Sequence, residues 1–459
     1  MDMNRLFRAC LLALPLAAVS LAEDRYILNL RNGSDIHQVV QSHGLRLVKA
    51  LKGSGNGLYV VEVPTGALNG FAAHALAADP AVSSMESDQQ VALPELAGAP
   101  VRPNGQSTLP PLFSPSVNVP YYGSTAWDPY VNQPAAWMIG LGTAHLMATG
   151  KGAVVAVIDT GVDPHNLVLQ PVLLNGYNFL LNQAGGSEMA DVSQSTTEVL
   201  DQSTTEVLDY ANAVVLTLNQ STTEVLDQST TEVLDQSTTE VLDQNPPPAG
   251  FGHGTMTAGL VHLVAPQAQL MPLKAFASDG TATLSAVIEA IYYAVDNGAN
   301  VISMSFSATQ GSNDLQAAIR YAYKQGVVPV AAVGNSGQQV NQIFPATYNN
   351  VIGVGSVNNL DQRSSFSNYG NGLVTLAAPG EGVITTYPGT NNYAAGWGTS
   401  FSTPLVAGGA ALLFQLNNSA DAGSVENALS NGAINVGQGL GSGVINLPPA
   451  IWAFQTSKH

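Results

Sequence analysis

The chain has 459 residues, too many for one average domain and enough for a large core with accessory parts. Only 10% of residues are charged and 45 are glycine, a composition that suits a compact, loop-rich protein and excludes a largely disordered one. The net charge of −18 includes ten acids from five copies of one octapeptide and falls to −8 without them. From Val131 onward the bases are scattered (Lys151, Lys274, Arg320, Lys324, Arg363, Lys458), so no positive stripe can neutralise phosphates and a nucleic-acid partner is excluded.

Residues 1–22 have the layout of a secretory signal: basic Arg5 and Arg8, an apolar run from Leu11 to Val19, and a small-residue cleavage site at Ser20-Leu21-Ala22. Export to the periplasm or the medium is expected. The apolar run is too short to span a bilayer and no other segment qualifies, so no membrane anchor is expected. Cys10 is the only cysteine and would leave with the signal, so stability must come from packing or bound ions.

Residues 23–93 read as a small α+β module. Tyr26–Leu30 and Leu58–Val63 carry strand patterns, Ile36–His43 and Leu68–Ala77 helical ones, and Val82–Val91 returns as strand. Residues 94–130 read as a linker, with seven prolines between Pro94 and Pro120.

From 131 to 459 the pattern is strand, turn, helix, repeated. Ala153–Ile158, Val301–Met304, Val327–Val333 and Val351–Val357 are continuous apolar runs, as buried parallel strands require. Thr257–Val264, Leu284–Asn297 and Asp314–Gln325 are the helices between them. The fold class is therefore α/β, a parallel sheet with helices on both faces, preceded by the small α+β domain. Active-site residues of such sheets gather at the carboxyl ends of the strands.

Residues 194–243 interrupt this pattern. Gln-Ser-Thr-Thr-Glu-Val-Leu-Asp begins at 194, 202, 220, 228 and 236. Eight residues turn a helix by about 800°, so no apolar stripe accumulates from copy to copy. Two apolar residues per copy are too few for a core. The segment reads as an acidic surface insertion; an acidic patch for cations or a partner is the alternative.

Three glycine-framed motifs carry the chemistry: Val157-Ile158-Asp159-Thr160-Gly161, Gly252-His253-Gly254-Thr255 and Gly398-Thr399-Ser400-Phe401-Ser402-Thr403-Pro404. A serine hydroxyl is a poor nucleophile until a histidine takes its proton and a carboxylate holds that histidine in the right tautomer. Ser400 would open a helix toward Phe414, whose N-terminal end favours an oxyanion. Asn335, in Ala331-Ala332-Val333-Gly334-Asn335-Ser336-Gly337, can donate its amide to that oxyanion, although a lone Asn-Ser-Gly is more often an ordinary turn.

With Phe344-Pro345-Ala346-Thr347-Tyr348 and Ser364-Ser365-Phe366-Ser367-Asn368-Tyr369-Gly370, these motifs resemble the subtilisin-like serine proteases, or subtilases, over about Val131 to Ala450. The resemblance implies that Asp159 orients, His253 is general base and acid, Ser400 attacks, and Asn335 stabilises the oxyanion. It also implies polypeptide substrates, an inhibitor-like propeptide in residues 23–93, and a monomer. No cofactor is required; structural calcium is common in the family, but its ligands cannot be assigned and no metal-ligand spacing is visible. Ser303, Met304, Ser305, Phe306 and Ser307 resemble the strand that pairs with the substrate backbone.

The sequence also departs from the family. Thr255-Met256 stands where Thr-His is usual, Phe401 where methionine commonly follows the nucleophile, and Ser305-Phe306-Ser307-Ala308 where Ser-Leu-Gly-Gly is frequent. Phe401 predicts reduced peroxide sensitivity. A catalytically silent secreted relative is the alternative function, because the repeats lie between Asp159 and His253.

Overall fold

In the computed structural model, residues 24–51, 57–63, 70–97, 117–192, 223–224 and 248–457 are described. The expected signal peptide and most of the repeat insertion lie outside them.

The N-terminal module runs strand, helix, strand, strand, helix, strand: Asp24–Leu30, Ile36–His43, Arg46–Ala50, Leu58–Val63, Gly70–Ala77, Val82–Ser87. Its four strands form an antiparallel sheet with Asp24–Leu30 between Leu58–Val63 and Val82–Ser87. Side chains alternate across a strand, and the two faces are used differently. Leu28, Leu30, Val61 and Val63 pack with Ile36, Val39 and Leu76 inside the module. Ile27, Leu58 and Val60 face the other way and join the core of the larger domain.

The larger domain is built on an eight-stranded sheet. Its strands, in spatial order, are 183–184, 177–178, 269–274, 154–159, 301–304, 328–332, 352–357 and 376–379. All neighbours are parallel except the outermost pair, 183–184 with 177–178. Every residue of Val301–Met304 and Val328–Ala332 is buried, consistent with a sheet covered on both faces.

Two central helices, His253–Val264 and Thr399–Leu416, lie against each other on one face. The first is buried along its whole length and the second from Thr399 to Phe414, as expected of helices apolar on all sides. On the opposite face Asn313–Lys324 is amphipathic. It buries Leu315, Ala318, Ile319 and Ala322, spaced as one helical stripe, and is capped by the Ser312 hydroxyl accepting from Leu315 N at 3.0 Å.

Two findings differ from the sequence reading. Residues 117–130 are not linker-like: Asn118–Tyr121 and Ser124–Trp127 form a hairpin whose Tyr121 and Trp127, with Tyr130 beyond it, are buried in the main core. And Gln269–Lys274 is a central strand despite Pro272.

The repeat insertion leaves and rejoins this domain at one place. Asp191 accepts a hydrogen bond from Ser278 N at 2.7 Å, and Gly250 N donates to Ser278 O at 2.9 Å. Within the insertion, Thr223–Glu224 pairs antiparallel with Gly396 and Ala395.

Candidate active site

Asp159 is the last residue of a strand and His253 the first of a buried helix, and the loop after Asp159 brings them together. His253 Nδ1 lies 2.8 Å from Asp159 Oδ1. The same oxygen accepts from Thr160 N at 2.7 Å, and Oδ2 accepts from the Thr257 hydroxyl at 3.1 Å. A carboxylate held by three groups cannot swing, so it fixes the imidazole that it touches. Only glycines allow the two motifs to approach so closely: a Cβ on Gly254 would sit 2.0 Å from the Gly161 carbonyl oxygen.

Ser400 is the second residue of its helix and is fully buried. Its hydroxyl donates to Ser305 O at 3.2 Å, and the Ser305 hydroxyl donates back to Ser400 O at 2.9 Å. Pro404 explains why that carbonyl is free. Four residues on, it has no N–H with which to complete the helical bond to Ser400. Ser402 is also buried but bonds to the carbonyls of Ala378 and Pro379, away from this group.

Asn335 lies beside the start of the same helix. Its Oδ1 accepts from Thr399 N and from the Thr399 hydroxyl, both at 2.9 Å, which aims its Nδ2 the other way. That amide donates to Glu95 Oε1 at 3.0 Å. The other oxygen of Glu95 lies 3.4 Å from His253 Nε2. Glu95 belongs to a short turn, Pro94–Ala97, which follows an extended segment seated in the cleft. Gln90–Ala92 of that segment pairs antiparallel with Thr281–Thr283, and Ala92 also bridges to Ser307. Gly398 allows the carboxylate in, since a Cβ there would lie 2.5 Å from Glu95 Oε1.

The charges follow from this packing. Burial alone would push the His253 pKa down, but the Asp159 carboxylate, reinforced by Glu95, outweighs it and raises it to about 10. His253 is therefore an imidazolium at neutral pH while Glu95 stays in place, and an imidazolium cannot accept a proton.

The five residues expected along the substrate, Ser303 to Ser307, lie in different surroundings. Ser303 and Met304 lie in the sheet with buried side chains, and Met304 belongs to the core. Contact with the extended segment is made by Ser307, while Ser305 bonds to Ser400. Phe306 turns inward onto Phe276, with ring centroids 5.1 Å apart. Thr281–Thr283 forms the opposite wall and was not read from the sequence. Glu95 was missed too; no motif surrounds it.

A model of the subtilase family matches residues 150–444. Thermitase of Thermoactinomyces vulgaris is 32% identical over 327 residues, covering 69% of this chain and 91% of that protein. Subtilisin DY of Bacillus licheniformis is 41% identical over 215 residues (44% of this chain, 78% of that protein). The alkaline elastase YaB of Bacillus sp. (strain YaB) is 39% identical over 212 residues (44% and 55%).

The chain is a serine endopeptidase of the subtilase family.

Subtilases typically bind calcium, but among the described residues no group of three or more His, Cys, Asp or Glu side chains could hold a metal ion. Also among the described residues, no helix is long and apolar enough to cross a membrane. Around the site, Asp163 organises its own loop, accepting from His165 N and from Gly389 N. His145 bonds to Val264 O. His262 is buried, and neither ring nitrogen has a hydrogen-bond partner. Trp397 packs against the main core.

Proposed function

We propose that this subtilase cleaves polypeptides through an acyl-enzyme formed on Ser400, with His253 as general base and acid, Asp159 as its orienting carboxylate and Asn335 as oxyanion donor. The 2.8 Å bond between Asp159 and His253 carries this reading. It selects the tautomer that leaves Nε2 available to take the Ser400 proton. The Asn335 amide, held by Thr399 from behind, is aimed at the place where charge develops on the substrate carbonyl.

The protein is made as an exported, monomeric zymogen, with residues 23–93 acting as propeptide and intramolecular inhibitor. Glu95 supports this part. It presents a carboxylate to Asn335, where an oxyanion would lie, and it keeps His253 protonated. The intact chain is thus latent twice over, in the hole and at the base. Glu95 lies at the start of the linker, just beyond residues 23–93. A cut after it lets it leave with the module, which removes one of the two carboxylates beside His253 and lowers its pKa into the working range. The Ser400 hydroxyl then turns from Ser305 O toward Nε2. Export rests on residues 1–22 alone.

The test is a fluorophosphonate probe applied to the secreted protein after the N-terminal module has been removed, with the labelled peptide identified by mass spectrometry. Label on Ser400, lost in His253→Ala and Ser400→Ala, is the expected result. Label on Ser402, or none on folded protein, overturns the assignment; the second outcome favours the silent relative.

A further inference from the structure

Glu188 is fully buried and lies outside all the motifs discussed so far. Its two oxygens tie together both halves of the Asp–His pair. Oε1 accepts from the Thr160 hydroxyl at 2.6 Å and from Gly252 N at 2.7 Å. Oε2 accepts from Thr255 N at 3.0 Å and from the Thr255 hydroxyl. Thr160 in turn accepts from Gly254 N at 2.9 Å. The N–H groups of Gly252, Gly254 and Thr255, which no intrahelical carbonyl can satisfy, thus end directly or through Thr160 on one carboxylate, while His253 N donates to Gly250 O at 3.2 Å. A negative charge at that end of a helix is also favourable.

Thr160 and Thr255 are neighbours of Asp159 and His253 in sequence, so a shift at Glu188 moves both. We propose that Glu188 is a positioning residue: from the short 3-10 turn Glu188–Asp191 that precedes the repeat insertion, it sets the register between the aspartate loop and the histidine helix. It touches no reacting atom and acts through Asp159 and His253, so the inference rests on the triad proposed above. Burial pushes its pKa up to about 7, against the Thr160 and Thr255 hydroxyls and the Lys274 charge, which hold it down. The other charged groups around it are Asp159, which opposes its ionisation, and Asp191, which pairs with Lys274 at 2.9 Å.

The test compares Glu188→Gln with Asp191→Asn in the mature enzyme, using a short peptide anilide and the fluorophosphonate probe. Asp191 lies in the same loop and bonds to Lys274 and Ser278 without touching the histidine helix. It therefore controls for loop attachment. An amide in place of the Glu188 carboxylate would turn a donor toward donors at one end, and a misplacement near 1 Å costs roughly 10²-fold. Glu188→Gln should therefore lower kcat about 10- to 100-fold with KM within about twofold, and should slow labelling of Ser400 equally. Asp191→Asn should lower Tm and leave kcat within about twofold. Should Glu188→Gln fail to fold, Thr255→Val removes one hydroxyl from the carboxylate and should lower kcat, with Thr255→Ser restoring it.

Equal kcat losses in Glu188→Gln and Asp191→Asn, or wild-type kcat in Glu188→Gln or Thr255→Val, overturn the proposal. A wild-type enzyme that the probe does not label overturns the triad reading and this inference with it. A labelled wild type beside an unimpaired Glu188→Gln overturns the inference alone.

Discussion

Asn335, Glu95 and His262 are three residues whose surroundings give different predictions. Asn335 donates one hydrogen bond to Glu95 Oε1, at the place proposed above for an oxyanion. In subtilisin, a member of the same family, removal of the corresponding kind of donor costs about 10²–10³ in kcat. Asn335→Leu should do the same here with KM little changed, and steady-state kinetics on a peptide anilide will show it. Glu95 acts through charge. With it in place the His253 pKa stands at about 10, so labelling of the intact chain should rise with pH toward that value. Glu95→Gln removes a carboxylate, lowers that pKa, and should move the rise to lower pH. Superimposable pH–labelling curves would contradict the hold of Glu95 on His253. His262 is the reverse case: burial pushes its pKa down to about 3. Its folded pKa is below the unfolded value of about 6.5, so the stability it contributes is full above that value. It is lost as pH falls from there toward 3, by a few kcal/mol on the order-of-magnitude scale of such shifts. His262→Phe should therefore flatten the acid side of the Tm–pH curve.

At the scale of elements, the histidine helix is the part with least freedom. Its Gly254 lies where any side chain would strike the Gly161 carbonyl, so Gly254→Ala must lift the helix away from Asp159. Activity should fall by at least about 10²-fold, with a Tm loss of the size that overpacking produces. An alanine variant with near-normal kcat would mean that the pair tolerates a looser fit than its bonds imply. The same scale explains which elements were legible. Val301–Met304 is apolar throughout and was readable as a buried strand; Asn313–Lys324 announces itself through its stripe of Leu315, Ala318, Ile319 and Ala322. Gln269–Lys274 was hidden because proline is rare in central strands and lysine rarely fully buried. Here Lys274 is accommodated by Asp191 and by the Thr160 and Phe276 carbonyls. The hairpin over 118–127 was masked by the prolines before it. Asp159, His253, Ser400 and Asn335 stood out because glycines and small residues frame them locally. Glu95 and Glu188 did not, because their partners lie far along the chain: Glu95 meets Asn335 from 240 residues away, and Glu188 meets Gly252 from 64. Such a meeting exists only in the folded protein.

Across the whole molecule, the N-terminal module holds its place with acids at helix ends. Asp88 accepts from Ser285 N and the Ser285 hydroxyl, both at 2.8 Å, at the start of the helix Leu284–Asp296. Glu86 accepts from Asn313 N at 2.7 Å and from the Ser312 hydroxyl at 2.5 Å, at the start of Asn313–Lys324. Each contact combines a cap with the helix dipole and is worth about 1 kcal/mol. The double variant Glu86→Gln, Asp88→Asn should therefore bind the separated enzyme some 10-fold or more weakly, as measured by inhibition in trans. An unchanged inhibition constant would assign docking to the apolar face of Ile27, Leu58 and Val60, the Lys49–Glu289 pair and the strand pairing of Gln90–Ala92.

Ser278 has a consequence for how this gene product can change. It holds both the outgoing and the returning chain of the insertion, one through its N–H and the other through its carbonyl. What is threaded between those two bonds is thereby separated from the distance between Asp159 and His253. By chain-closure arithmetic, eight residues more or fewer in a connection of about fifty alter the closure cost by only about 0.1–0.2 kcal/mol. A replication slip that adds or drops one octapeptide would thus leave turnover untouched, and a chain lacking the copy at 236 should match the parent in kcat and Tm. Copy number can then drift, or be selected for reasons of its own, without passing through an inactive ancestor.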